Sequence, residues 1–123
     1  MTPAPFPADD ISQRLRSLPA DENFALVFPG QGSQKTGMGA AVSEASVVAR
    51  EVYAIADETL GFPLSRLCFQ GPDDVLTQTA NTQPAILATS IAILGAALET
   101  GALDRCPRFV AGHSLGEYSA LVA

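Results

Sequence analysis

Five residues near the end of the sequence, Gly112-His113-Ser114-Leu115-Gly116, have the form G-x-S-x-G. A serine so placed acts as a nucleophile when it sits on a sharp turn between a strand and a helix. The flanking small residues let the turn close and leave the hydroxyl exposed above the strand end. Here an apolar run, Arg108 to Ala111, leads into the motif, and Leu115 to Ala123 reads as the start of a helix. The backbone N–H of Leu115, first in that helix, would face the charge developing on an attacked carbonyl oxygen and gain from the helix dipole. A glycine-flanked turn whose serine only caps the helix fits the motif equally well.

Serine chemistry needs a base, and His113 is the one histidine in the chain. Neighbouring side chains diverge at a sharp turn, whereas a base must lie within hydrogen-bond reach of the serine oxygen. His113 is therefore expected beside the site, in a packing or hydrogen-bonding role. A second glycine-rich stretch, FPGQGSQKTGMG from Phe28, directly follows an apolar run. It matches neither a phosphate-binding loop ending in Gly-Lys-Ser/Thr nor a G-x-G-x-x-G fingerprint. By composition alone it reads as an ordinary glycine-rich strand-to-helix turn; the sharper reading is an oxyanion loop, since a serine on a sheet needs a second N–H donor from a neighbouring strand's exit loop.

The elements that would position these residues follow from patterning. Phe24 to Phe28 is a short continuous apolar run closed by Pro29-Gly30, as in a strand buried on both faces of a parallel sheet. From Ala40 to Thr59, Val48, Val52 and Ile55 recur at helical spacing among polar residues, predicting one amphipathic helix. Leu64 to Phe69 and Asp73 to Thr77 are short pieces between Gly-Pro punctuations. The segment NTQPAILATSIAILGAALETG predicts a core helix capped by Asn81 or Thr82, with Pro84 in its first turn and Gly101 past its end. Its uninterrupted apolar run is shorter than the roughly 20 residues of a membrane span. The order strand, helices, strand, turn, helix belongs to an α/β fold.

Composition narrows the partners. Seven basic against 13 acidic residues give a net charge of −6, which disfavours nucleic acid and anionic membrane surfaces. Cys68 and Cys106 are far apart and match no metal-ligand spacing, so no metal is expected and both read as reduced thiols of a cytoplasmic protein. Residues 1–23 hold four prolines among charged residues, with a short stretch from Ile11 to Leu18 that could coil, and are predicted to be a flexible tail.

Three stretches, FALVFPGQGSQKTGMG, QGPDDVLTQTANTQPAILATSIAI and AGHSLGEYSALVA, in this order and spacing, resemble the start of malonyl-CoA:acyl carrier protein transacylases. The acyltransferase domains of fatty acid and polyketide synthases share much of the pattern. The resemblance implies a partial α/β-hydrolase-like core with parallel strands, and it makes residues 24–123 the first part of an acyltransferase domain. The family's later ferredoxin-like subdomain, catalytic histidine and substrate arginine would fall after Ala123. It implies malonyl transfer in fatty acid biosynthesis, from malonyl-CoA to the phosphopantetheine thiol of acyl carrier protein, with no bound cofactor. Ser114 would carry the malonyl group, the backbone N–H groups of Gln31 and Leu115 would form the oxyanion hole, and Gln83 would line the substrate site. The chain alone is expected to be an inactive fragment. A serine hydrolase with the same turn and a non-catalytic binding module remain as alternatives.

Overall fold

The computed structural model describes residues 6–123. Strands β1 (Ala20–Phe28) and β2 (Cys106–Gly112) pair in parallel, with Leu26 opposite Val110 and Phe28 opposite Gly112. Both strands therefore end at the same edge. A parallel pair needs a long crossover. Here the regular elements of the crossover are helices, α2 (Ala40–Ala45), α3 (Val47–Leu60), α4 (Leu64–Gln70), α5 (Asp73–Leu76) and α6 (Thr79–Thr100). Helix α7 (Gly116–Val122) follows β2 and packs against both strands.

The core is built around α6. Ala85, Ala92, Leu94 and Leu98 on it are buried together with Val48, Ala49 and Val52 of α3 and Leu64 and Cys68 of α4. Each large aliphatic side chain so buried stabilises the fold by roughly 1.5–3 kcal/mol. Gly95 lets the helices close: a Cβ there would lie 2.7 Å from Val48 Cγ1 and 3.0 Å from Ile11 Cδ1. By length and composition α6 could cross a membrane, but most of it is buried inside the fold. It ends where Gly101 adopts φ 80°, a left-handed cap that a side chain would oppose.

The structure departs from the sequence reading in several places. Residues expected in a tail are packed: α1 (Ile11–Arg16) follows a 3₁₀ turn at Ala8–Asp10, and Ile11 and Leu15 are each 3% exposed. These two residues lie one helical turn apart and fill one face, while Arg14 and Arg16 take the solvent. Ser12 Oγ donates to the Ala123 carbonyl at 2.7 Å, joining this segment to the end of α7. The first five residues of the expected tail lie outside the described ones.

The single helix expected from Ala40 is two, because Ser46 turns extended and caps α3 by accepting from the Ala49 N–H at 3.0 Å. Ser46 also donates to Glu99 Oε2 on α6. Ile55, expected inside, is 46% exposed. Helix α6 begins at Thr79, ahead of the expected caps, so Pro84 lies in its second turn; Asn81 Nδ2 donates to the Val75 carbonyl of α5 at 3.0 Å and does not cap α6. Among the described residues neither strand is covered on both faces. Phe28 is buried on the helical side, but Val27 and Phe109 are 72% and 62% exposed on the other.

Candidate functional site

The site lies at the edge where both strands end. From Gly112 the chain turns through His113 and Ser114 directly into α7: the Gly116 N–H donates to the His113 carbonyl and the Glu117 N–H to the Ser114 carbonyl, both at 2.9 Å. So tight a reversal forces Ser114 to φ 53°, the one left-handed non-glycine residue among those described. Holding a side chain there costs on the order of 1–2 kcal/mol. The packing around the turn imposes that cost. A Cβ on Gly112 would lie 1.9 Å from the Gly116 carbonyl carbon, and one on Gly116 would lie 2.1 Å from the Phe28 carbonyl oxygen. The first turn of α7 therefore sits against the ends of both strands, and Ser114 is left exposed.

The glycine-rich loop after β1 meets this turn. The His113 N–H donates to the Phe28 carbonyl at 3.1 Å, extending the strand pairing by one bond. Gly30 lies against His113 so closely that a Cβ on it would approach the His113 carbonyl oxygen to 2.3 Å and the ring Nδ1 to 3.4 Å. The His113 ring thus rests on the Gly30 side, and among the described residues no hydrogen bond joins it to Ser114 Oγ. Gln31 is the next residue along this loop. Among the described residues its backbone N–H and that of Leu115 donate to no protein acceptor. One N–H without a protein acceptor among the described residues thus belongs to the serine turn and another to the loop packed against it, and Ser114 is exposed. Such an arrangement can accept an acyl group and stabilise the oxyanion formed on the way.

Three bonds hold the Gln31 loop from the far side. Gln31 Nε2 donates to Thr79 Oγ1 at 3.2 Å, Thr36 Oγ1 to Asp73 Oδ1 at 3.1 Å, and the Gly37 N–H to the Cys68 carbonyl at 2.8 Å. The acceptors come from α4, α5 and the first residue of α6. Gln83 is exposed, and it lies four residues after Thr79, on the same helix face. The sequence reading singled out Gln83 and not Thr79, whose exposure and polarity leave no mark in a hydrophobic pattern. Among the described residues no group of three or more His, Cys, Asp or Glu is placed to hold a metal. An apolar cleft of about 410 Å³ runs beside β1, lined by Phe28, Met38, Ile86, Ile93 and Leu94, and does not include Ser114.

A parallel pair whose second strand feeds a serine turn and a helix is an α/β arrangement with the strand-turn-helix form of a nucleophile elbow. The chain belongs to the acyl transferase domain family, which matches residues 25–123. It is 54% identical to a malonyl CoA-acyl carrier protein transacylase of Bacillus subtilis, over 81% of this chain and 31% of that one. A malonyl transacylase solved in complex with its type II PKS acyl-carrier protein superposes with a TM-score of 0.76 at 50% identity, over 83% of this chain and 32% of that one. A polyketide biosynthesis protein of Burkholderia thailandensis, ThaF, is 44% identical over 98% of this chain and 10% of its own length. The chain spans about a third of the length of the Bacillus relative.

Proposed function

We propose that residues 24–123 are the nucleophile-bearing part of an acyltransferase. It moves a malonyl group from malonyl-CoA to the phosphopantetheine thiol of acyl carrier protein in fatty acid biosynthesis. The observation that carries this reading is the left-handed Ser114, exposed beside the Gly30-Gln31 loop, with the Gln31 and Leu115 N–H groups free. In the first step Ser114 Oγ attacks the thioester carbonyl, its proton passes to a base, and the coenzyme A thiolate leaves and is protonated. In the second the phosphopantetheine thiolate attacks the malonyl ester, and Ser114 leaves and regains a proton. The two N–H groups would hold the oxyanion in both steps, each such donor being worth about 3–4 kcal/mol of barrier. Gln83, on the Thr79 face of α6, would line the acyl site. Neither step requires a bound cofactor, and both substrates belong to the cytoplasm.

His113 rests on Gly30, so the base must come from outside the turn. The 123-residue chain alone is therefore expected to acylate slowly, because a positioned base contributes about 10²- to 10⁴-fold. The test compares this chain with a fusion in which residues 1–123 are followed by the remaining part of the Bacillus relative. Each is mixed with malonyl-CoA and then with holo acyl carrier protein and followed by intact-mass spectrometry. The fusion should form a malonyl ester lost in Ser114→Ala and retained in His113→Ala, and should pass it to the carrier. Release of free malonate without carrier acylation would favour a serine hydrolase. No ester in a folded fusion would leave only a binding module.

A polyketide setting has one observation of its own. The family match begins at Ala25, yet the match to ThaF covers 98% of the chain and so includes most of the packed segment around α1. Transfer to a polyketide carrier protein in the same assay, at a rate above that to a fatty acid carrier, would support it.

A further inference from the structure

We infer that Thr79 is a positioning residue for the acyl-transfer step, holding through the Gln31 side chain the loop that meets the Ser114 turn, so that the Gln31 N–H is fixed in place before the reaction. This inference rests on the acyltransferase reading above. A backbone donor stabilises an oxyanion only if it is fixed before the reaction. Gln31 lies in a loop with two left-handed glycines, Gly32 at φ 106° and Gly37 at φ 97°, and a Cβ at either would meet nothing within 4 Å. Packing therefore does not hold this part of the loop. On the near side Gly30 is pinned by its contact with His113. On the far side Thr36 and Gly37 are tied to Asp73 and Cys68. Between those anchors, the bond recorded from Gln31 to another element is the one from Nε2 to Thr79 Oγ1. Thr79 is itself well placed as an anchor, being the first residue of the 22-residue helix that forms the core. The loop geometry is thereby referred to a long helix whose side chains make up much of the core.

The tie predicts a specific coupling. Thr79→Val keeps the shape and removes the acceptor, while Gln31→Met removes the donor and leaves the backbone N–H in place. In the fusion, each should lower kcat for malonyl-ester formation by about tenfold with KM unchanged, a fraction of the 10²- to 10³-fold that follows outright loss of an oxyanion donor. The double variant should be no slower than either single one, because both remove the same bond. Thr79→Ser, which restores the hydroxyl, should recover most of the rate, and melting temperatures should stay within a few degrees. Multiplying effects in the double variant, an unchanged rate in Thr79→Val, or no recovery in Thr79→Ser would each overturn the inference while leaving the acyltransferase reading intact. Should Thr79→Val unfold the fusion, Gln31→Met and Thr79→Ser still decide: a full rate in the former also overturns it. A folded wild-type fusion that forms no malonyl ester at Ser114 overturns both readings.

Discussion

Gly116 lies against Phe28 so closely that a Cβ on it would come within 2.1 Å of the Phe28 carbonyl oxygen. Backbone faces backbone here, so no side chain can swing away. Gly116→Ala must push α7 off the strand ends, an overpacking that costs about 1–3 kcal/mol. Denaturant unfolding of the fusion should report that loss. Malonyl-ester formation should fall with it, because the Leu115 N–H moves with the helix. Unchanged stability would contradict the close approach.

The strain at Ser114 separates chemistry from stability. Glycine adopts φ 53° without the steric cost that a side chain meets, at some expense of unfolded-state entropy. Ser114→Gly should therefore be more stable than Ser114→Ala by about 1 kcal/mol, with both inactive. Equal melting curves for the two variants would show that the turn is not strained.

Ser46 serves two partners at once. It accepts from the Ala49 N–H and donates to Glu99 Oε2, with Ser46 fully buried and Glu99 only 6% exposed. Ser46→Ala removes a helix cap and strands a buried carboxyl group, so the expected loss is about 2–3 kcal/mol. Ser46→Thr, which keeps the hydroxyl, should lose less. Chemical denaturation of the fusion distinguishes the two.

Alkali should weaken the fold through a buried pair. Burial pushes the Cys68 thiol from its ordinary 9.0 to about 11, and burial likewise raises the Tyr53 hydroxyl, which shares a hydrogen with Thr89 Oγ1 at 2.6 Å. Both groups bind their protons more tightly folded than unfolded. The stability they contribute is present below pH 9 and is lost as pH rises toward and through 11. Melting temperature should therefore decline across that window, and less steeply in Cys68→Ala. At pH 8 Cys68 should resist alkylation, while the partly exposed Cys106 reacts.

Much of the site was legible because it rests on backbone requirements that only certain residues satisfy. The glycines at 112 and 116 announce a tight turn, and the run from Phe24 to Phe28 ends at the loop that meets it. The apolar character of α6 marked it as core. Other features left no such trace. Prolines and charges around Ile11 and Leu15 masked two buried residues one turn apart. Ser46 interrupts a helical pattern by taking up a hydrogen bond to a residue on another helix, Glu99, which no local pattern contains. The same holds for Thr79, whose place in the site depends on a partner 48 residues away.

The parallel register that sets Ala20 beside Cys106 has a consequence for the growing chain. Ala20 and Cys106 are 86 positions apart, so during synthesis β1 exists long before its partner. At ribosomal rates of about 5–20 residues per second, the wait is roughly 4 to 17 s. Throughout it the alternating strand that carries Leu26, Val27 and Phe28 has no ladder, and α6, which would cover one face, is itself made only near the end. Such long-range pairing also folds slowly once all the residues are present. Among the described residues Val27 stays 72% exposed even with β2 in place, so the pairing that ends the wait leaves apolar strand surface open.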